Sequence, residues 1–218
     1  MRGIHDEGSE RIPSGCAISS IFSKSGKPIN GERIIHSMAP MHDRSNGLGG
    51  GFAGYGIYPQ HKDDYAFHVF YDHSKAQNAC ESFLKERFCF AASEQIPTRK
   101  LSAITQEPIS MRYFLRPLYR RMEDLQLDES EYVARCVLHI NAQIDGAYVF
   151  SSGKNMGVFK AVGFPEDVGR YYRLEEYEGY CWTAHGRYPT NTPAWWGGAH
   201  PFALLDTTVV HNGEISSY

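Results

Sequence analysis

No run of about eighteen apolar residues, the least that spans a bilayer as a helix, occurs in this 218-residue chain. The opening MRGIHDEGSERIPSG also lacks the apolar centre that a secretory signal needs. Membrane partners and export are set aside on these grounds, and a cytoplasmic protein is expected. An excess of charge of either sign is missing too: 22 Lys and Arg stand against 25 Asp and Glu, a formal net charge of −3. Nothing in that balance attracts nucleic acid or an anionic lipid surface. Cysteine is scarce, with five residues (Cys16, Cys80, Cys89, Cys136 and Cys181) and no C-x-x-C pair. That argues against a disulfide framework or a zinc ribbon and leaves most of them as buried thiols. Internal repeats are absent. What the chain does have is 42% hydrophobic residues, enough for one domain with its own core.

Residues 15–22 (GCAISSIF) read as a short strand opening on Cys16, with turn residues over 24–28. Helical spacing of Ile34, Ile35, Met38 and Met41 predicts a helix over 31–41, and strands follow over 52–58 and 65–71. Ser74 is placed to cap a helix running to about residue 90, with Ala76, Ala79, Cys80, Phe83, Leu84 and Phe88 on its apolar face. Pro97, Pro108 and Pro117 punctuate the next stretch, within which 111–125 reads as helical around its proline. Residues 133–144 and 147–151 read as a hairpin turning at Asp145-Gly146. Short helices are expected over 154–162 and 165–172, and strands over 180–188 and 207–211. With no repeating βαβ unit, the class is α+β with a largely antiparallel sheet.

Several features invite chemistry. The segment 47–56, GLGGGFAGYG, lacks the lysine of a phosphate-binding G-x-x-x-x-G-K-[ST] loop and reads as a tight turn with close backbone packing. Cys181, His185, His200 and His211 match no standard zinc spacing, so no metal site is assigned to them. Tyr171, Tyr172, Tyr177, Tyr180 and the pair Trp195-Trp196 are assigned to packing. Taken singly, Cys16 is a small hydrophobe, Arg187 an ion-pair partner and Asn212-Gly213 a turn. Taken in order, HGRYPTNT followed by HNGE places a fixed cation before an amide dipole and a backbone turn. That order suits a site that grips a carboxylate and then stabilises an oxyanion.

The three segments GCAISSIF, HGRYPTNT and HNGEISSY resemble the class II glutamine amidotransferases, most nearly the glutaminase domain of glutamate synthase. The family order is a cysteine opening an N-terminal strand, then H-x-R-x-x-T-N, then H-N-G-E. Here these elements stand as Cys16, as His185-Gly186-Arg187-Tyr188-Pro189-Thr190-Asn191, and as His211-Asn212-Gly213-Glu214. The long interval from Cys16 to Arg187 favours the glutamate-synthase branch. The resemblance implies an N-terminal-nucleophile hydrolase fold, an αββα sandwich of two mainly antiparallel sheets, over residues 16–218, with an inserted lobe over about 60–151. It implies L-glutamine as substrate and Cys16 as nucleophile. Asn212 and Gly213 are the implied oxyanion donors, and Arg187, Thr190 and Asn191 the implied holders of the substrate α-carboxylate. The implied partner is an ammonia-accepting synthase domain or subunit that carries FMN and an iron–sulfur cluster, with no cofactor and no metal in this chain.

Elementary chemistry agrees with that implication. A free thiol with a pKa of about 8.5 is only a few per cent thiolate at neutral pH and needs a base. The α-amine of an N-terminal cysteine, with a pKa of about 7.7–8.0, can serve. Here fifteen residues precede Cys16, so residues 1–15 are expected to be removed as a propeptide, and the unprocessed chain is expected to be slow. The family's aspartate for the substrate α-amine falls beyond Tyr218, which leads us to expect an incomplete domain with strands still to come. Two other readings remain open at this point. One is an N-terminal-cysteine hydrolase of a different amide, and the other an inactive module that only docks to a synthase.

Overall fold

A computed structural model describes residues 15–189 and 192–213. The expectations that fall on residues 1–14, on Thr190 and Asn191, and on Glu214 lie outside the described residues. Along the chain the elements are β1 Ala17–Phe22, β2 Ile29–Asn30, α1 Glu32–Met38, β3 Gly50–Tyr55, β4 Tyr65–Tyr71, α2 Ser74–Lys85, β5 Phe88–Gln95, β6 Ile109–Pro117 and α3 Tyr119–Leu125. They continue with α4 Glu129–Gln143, β7 Ala147–Ser151, β8 Met156–Ala161, α5 Pro165–Tyr171, β9 Glu178–Gly179, β10 Cys181–Gly186, β11 Phe202–Leu204 and β12 Thr207–Val209. None of the described helices is long and apolar enough to cross a membrane.

Two four-stranded antiparallel sheets carry the α+β architecture, the first in the order β1-β10-β3-β8 and the second in the order β5-β6-β4-β7. Helices α1 and α5 pack on the first sheet, and α2 and α4 on the second. Strand β4, YAFHVFY, is buried at every position because both of its faces are covered. Ala66 and Phe70 join Phe52, Val158, Phe159 and Trp182 of the first sheet in one core, whereas Tyr65, Phe67, Val69 and Tyr71 pack with Cys80, Leu84, Val133 and Ile140 of α2 and α4. The layers therefore run helix, sheet, sheet, helix, as the αββα expectation requires. Residues 60–151, expected as an inserted lobe, hold all four strands of the second sheet and the helices on its outer face.

The sheets are joined at the edge strand β8. Its Val158 has an N–H and a C=O pointing away from β3, and these are met by cross-strand partners in the second sheet. Ser151 Oγ accepts the N–H at 3.2 Å and His68 Nδ1 donates to the carbonyl at 2.8 Å. Tyr58 donates its hydroxyl proton to His68 Nε2 at 2.9 Å. An open edge is thus closed by side chains rather than by another strand. Burial, with the Arg112 cation nearby, pushes the His68 imidazole down to about 3, so the ring is neutral.

Several local expectations are corrected. The helix expected to reach residue 90 ends at Lys85, and Phe88 begins β5 with alternating burial; His73, not Ser74, is its cap, the ring accepting Ala76 N–H at 3.0 Å. Residues 111–125 are not one helix. Ile109–Pro117 is a strand paired on both sides and α3 starts only after Pro117, because proline cannot donate within a helix. Of residues 133–144, expected as a hairpin arm, all but Ile144 lie in α4, which Asp128 caps through Glu131 N–H at 2.8 Å. Tyr132, Val133, Cys136, Val137 and Ile140 form its buried stripe. The helix expected over 154–162 is strand β8, buried throughout, so no alternation marked it. Within GLGGGFAGYG, Gly50–Tyr55 is a central strand rather than a turn.

Gly51 explains why that strand is rich in glycine. A methyl group there would lie 2.1 Å from the His200 carbonyl oxygen and 2.9 Å from Lys160 Cβ. Gly51→Ala is expected to lower the unfolding free energy by about 2–4 kcal/mol. Urea denaturation measures it, and a loss below about 1 kcal/mol would mean that the 196–201 segment does not press on the strand.

Candidate active site at the paired ends of β1 and β10

The antiparallel register pairs Ala17 with Gly186. One step further along the same ladder brings Cys16 opposite Arg187 and Tyr188. The Tyr188 backbone N–H donates to Cys16 Sγ at 3.4 Å, and Arg44 Nε donates to the Cys16 carbonyl at 3.4 Å. No acid or imidazole among the described residues hydrogen-bonds the Cys16 sulfur. The other thiols are poor nucleophile candidates. Burial pushes Cys80 and Cys136 up to about 11 and raises Cys181, and Cys89 sits exposed on β5, in the second sheet.

Arg187 is held from both sides. Its N–H donates to the Gly49 carbonyl at 2.8 Å, and its carbonyl accepts from Ser45 Oγ at 3.1 Å. Gly49, at φ +152°, leaves the room its stem occupies, since a methyl there would lie 3.1 Å from Arg187 Cδ. The guanidinium donates to Thr192 Oγ1 and, at 3.3 Å, to the Pro193 carbonyl. Partial burial lowers its pKa from the usual arginine value, and the half-exposed side chain remains a cation with a fork of donors.

Asn212 reaches the same place from the other end of the chain. A methyl group on Gly15 would come within 3.9 Å of Asn212 Oδ1 and 3.5 Å of the Arg44 guanidinium. The Asn212 side chain and Arg44 therefore flank the peptide that leads into Cys16. Gly213 follows, exposed, in the segment after β12. Of the residues expected at the site, the structure brings Cys16, Arg187 and Asn212-Gly213 into one neighbourhood, and Thr190 and Asn191 lie outside the described residues. Arg44 and Ser45 were not singled out from sequence, since they carry no motif and act through contacts to residues far along the chain.

Behind the site lies a group of histidines. The His185 and His200 ring centroids are 4.4 Å apart, and those of His200 and His211 are 5.9 Å apart. His185 Nε2 hydrogen-bonds the His211 carbonyl at 2.9 Å. Burial pushes His185 down to about 4 and His200 to about 3, so both rings are neutral. No group of three or more side chains suited to a metal ion occurs among the described residues. Beside them the Lys160 ammonium is fully buried, donates to the carbonyls of Gly197 (2.9 Å) and Pro201 (3.5 Å), and is pushed down to about 7 by burial.

These groups set a pH dependence of one sign. An unfolded histidine binds a proton near pH 6.5 and an unfolded lysine near about 10.4. His68, His185, His200 and Lys160 all bind theirs less readily when folded. The unfolded state therefore holds more protons as pH falls, and stability drops, by up to about 1.4 kcal/mol per pH unit for each group in its window. Lys160 acts from above neutrality down to about pH 7, and the histidines act below about pH 6.5. Urea midpoints at about pH 8.5, 7 and 5.5 are expected to fall in that order, and a flat series would mean that these groups are charged in the folded protein.

A family model described as glutamine amidotransferases class-II matches residues 67–218. The match contains Arg187, Asn212 and Gly213 and begins after Cys16. An uncharacterized protein of Archaeoglobus fulgidus is 48% identical over 221 aligned residues, which cover 100% of this chain and 58% of that protein. The chain thus spans a little over half the length of that relative. GlxB of Rhizobium meliloti, a glutamine amidotransferase-like protein, is 31% identical over 71 residues, 32% of this chain and 24% of that one.

Proposed function

The chain belongs to the class II glutamine amidotransferases, and from that premise we propose that it hydrolyses the side-chain amide of L-glutamine at Cys16 and delivers the ammonia to a synthase domain or subunit. The observation that carries this reading is the 3.4 Å contact from Tyr188 N–H to Cys16 Sγ, which sets the thiol one residue from Arg187. In the proposed reaction the Arg187 fork takes the substrate α-carboxylate, with Thr190 and Asn191 beside it. Cys16 Sγ attacks the amide carbon, and Asn212 Nδ2–H and Gly213 N–H hold the resulting oxyanion. The C–N bond breaks, ammonia leaves with a proton from the base, and a glutamyl thioester remains. Water adds to the thioester through a second oxyanion and releases glutamate.

The proposed base is the α-amine of Cys16, freed by removal of residues 1–15. The absence of any other base on the sulfur among the described residues supports that choice. The acceptor is proposed to resemble glutamate synthase, with FMN and an iron–sulfur cluster in the partner and neither in this chain.

Glutamine is expected to yield glutamate and ammonia in equal amounts, and asparagine to be a poor substrate. Cys16→Ala is expected to abolish both turnover and the adduct that the glutamine-like electrophile diazo-oxo-norleucine leaves in the intact mass. The same spectrum reports whether residues 1–15 are gone from the active species. Asn212→Ala is expected to lower kcat by about 100-fold or more, and Arg187→Lys to act mainly on KM. Adducts on Cys80, Cys89, Cys136 or Cys181 instead would overturn the nucleophile. Turnover of another amide, or synthase binding without ammonia release, would overturn the glutaminase reading.

A further inference from the structure

Three residues lie side by side across the first sheet: His185 on β10 pairs with Gly51 on β3, which pairs with Lys160 on β8. Residues 197–211 meet all three. Lys160 Nζ donates to the Gly197 and Pro201 carbonyls, the bare Gly51 backbone admits the His200 carbonyl, and His185 Nε2 meets the His211 carbonyl at 2.9 Å. Because a carbonyl can only accept, that ring nitrogen carries the proton. His185 Nδ1 is then a bare lone pair, and it is buried with no partner among the described residues. Protonating it would create a buried cation with an unmatched N–H, so burial keeps this donor neutral and fixed.

Among the described residues, the His185 bond is the hydrogen bond that ties residues 210–213 to the sheet; β12 ends at Val209, and Asn212 and Gly213 are exposed. The His211 carbonyl shares a peptide plane with Asn212 N. Holding its oxygen therefore fixes the peptide plane from which Asn212 and then Gly213 start.

We propose that His185 is a positioning residue for glutamine hydrolysis: its Nε2–H, by holding the His211 carbonyl, fixes Asn212 and Gly213 toward the Cys16 thiol, while Lys160 anchors the start of the same segment. This rests on the glutaminase reading above. His185 never touches substrate. Its removal leaves the thiol and the Arg187 fork in place and frees the turn that meets the oxyanion.

The test compares the full-length protein with its His185→Leu, His185→Gln and Lys160→Met variants. A glutamine side chain can place an N–H near the position of Nε2, and leucine cannot. His185→Leu is expected to lower kcat by about 100-fold with KM changed less than about twofold. Its rate of alkylation at Cys16 by iodoacetamide, followed on that peptide, is expected to be unchanged, since that reaction forms no oxyanion. His185→Gln should recover most of kcat, and Lys160→Met should lower kcat less than His185→Leu does. If His185→Leu fails to fold, the wild-type 15N spectrum decides: the His185 ring should be the Nε2–H tautomer, and the Nδ1–H tautomer would overturn the proposal. An active wild type with an unimpaired His185→Leu overturns it as well, as does loss of Cys16 alkylation in step with kcat. A wild type that releases no ammonia from glutamine removes the glutaminase reading and this inference with it.

Discussion

The register of β1 on β10 is the constraint on which the site depends. With Ala17 set against Gly186, the residue before β1 faces the residues after β10, and a thiol and a guanidinium some 170 positions apart in the sequence become neighbours. A slip of one residue would invert every side chain of β1 relative to the core. It would expose Ala17, which packs in the first core, and turn Ile18 inward. The same core packing that fixes the strand therefore fixes the position of Cys16, the proposed nucleophile.

Buried donors on backbone carbonyls hold the pieces of the molecule in relation to one another. His68 closes the edge of β8, Lys160 takes Gly197 and Pro201, and His185 takes His211. In each case a titratable side chain is kept free of charge by burial or close to losing its charge, and it spends its proton on an oxygen the ladders leave unpaired. A neutral donor of this kind is directional and adds no full charge to the neighbourhood of the site.

Cys16, Arg187, Asn212 and Gly213 were singled out from sequence because each lies in a short run whose order resembles a family pattern, and the structure brings Cys16, Arg187 and Asn212 close together. The strands at 17–22, 65–71 and 181–186 were readable from composition and flanking turns. Where the reading failed, two periods competed. Residues 133–144 are rich in Val, Leu and Ile and end near a turn dipeptide, so they looked extended, yet the apolar stripe of α4 and the Asp128 cap dominate. Strand β8 is covered throughout and so shows no alternation. Lys160, Arg44 and Ser45 were not readable at all, since what distinguishes them is a partner elsewhere in the chain, whereas the close backbone packing expected of the glycine-rich segment is found at Gly51.

The proposed chemistry bears on why the residue before the nucleophile is a glycine. Gly15 sits at φ +132°, in the region that penalises other residues, with Arg44 on one side and the Asn212 amide on the other. A methyl group there would stand 3.5 Å from the Arg44 guanidinium and 3.9 Å from Asn212 Oδ1, so the backbone angle rather than crowding is what favours glycine. In the proposed reaction the Gly15–Cys16 bond must give way to a free amine, and that amine would then lie beside the Arg44 guanidinium. A neighbouring cation disfavours protonation and lowers an amine's pKa, which suits a base that must accept the thiol proton near neutrality. Arg44, whose Nε donates to the Cys16 carbonyl, is the cation that stands nearest that peptide among the described residues.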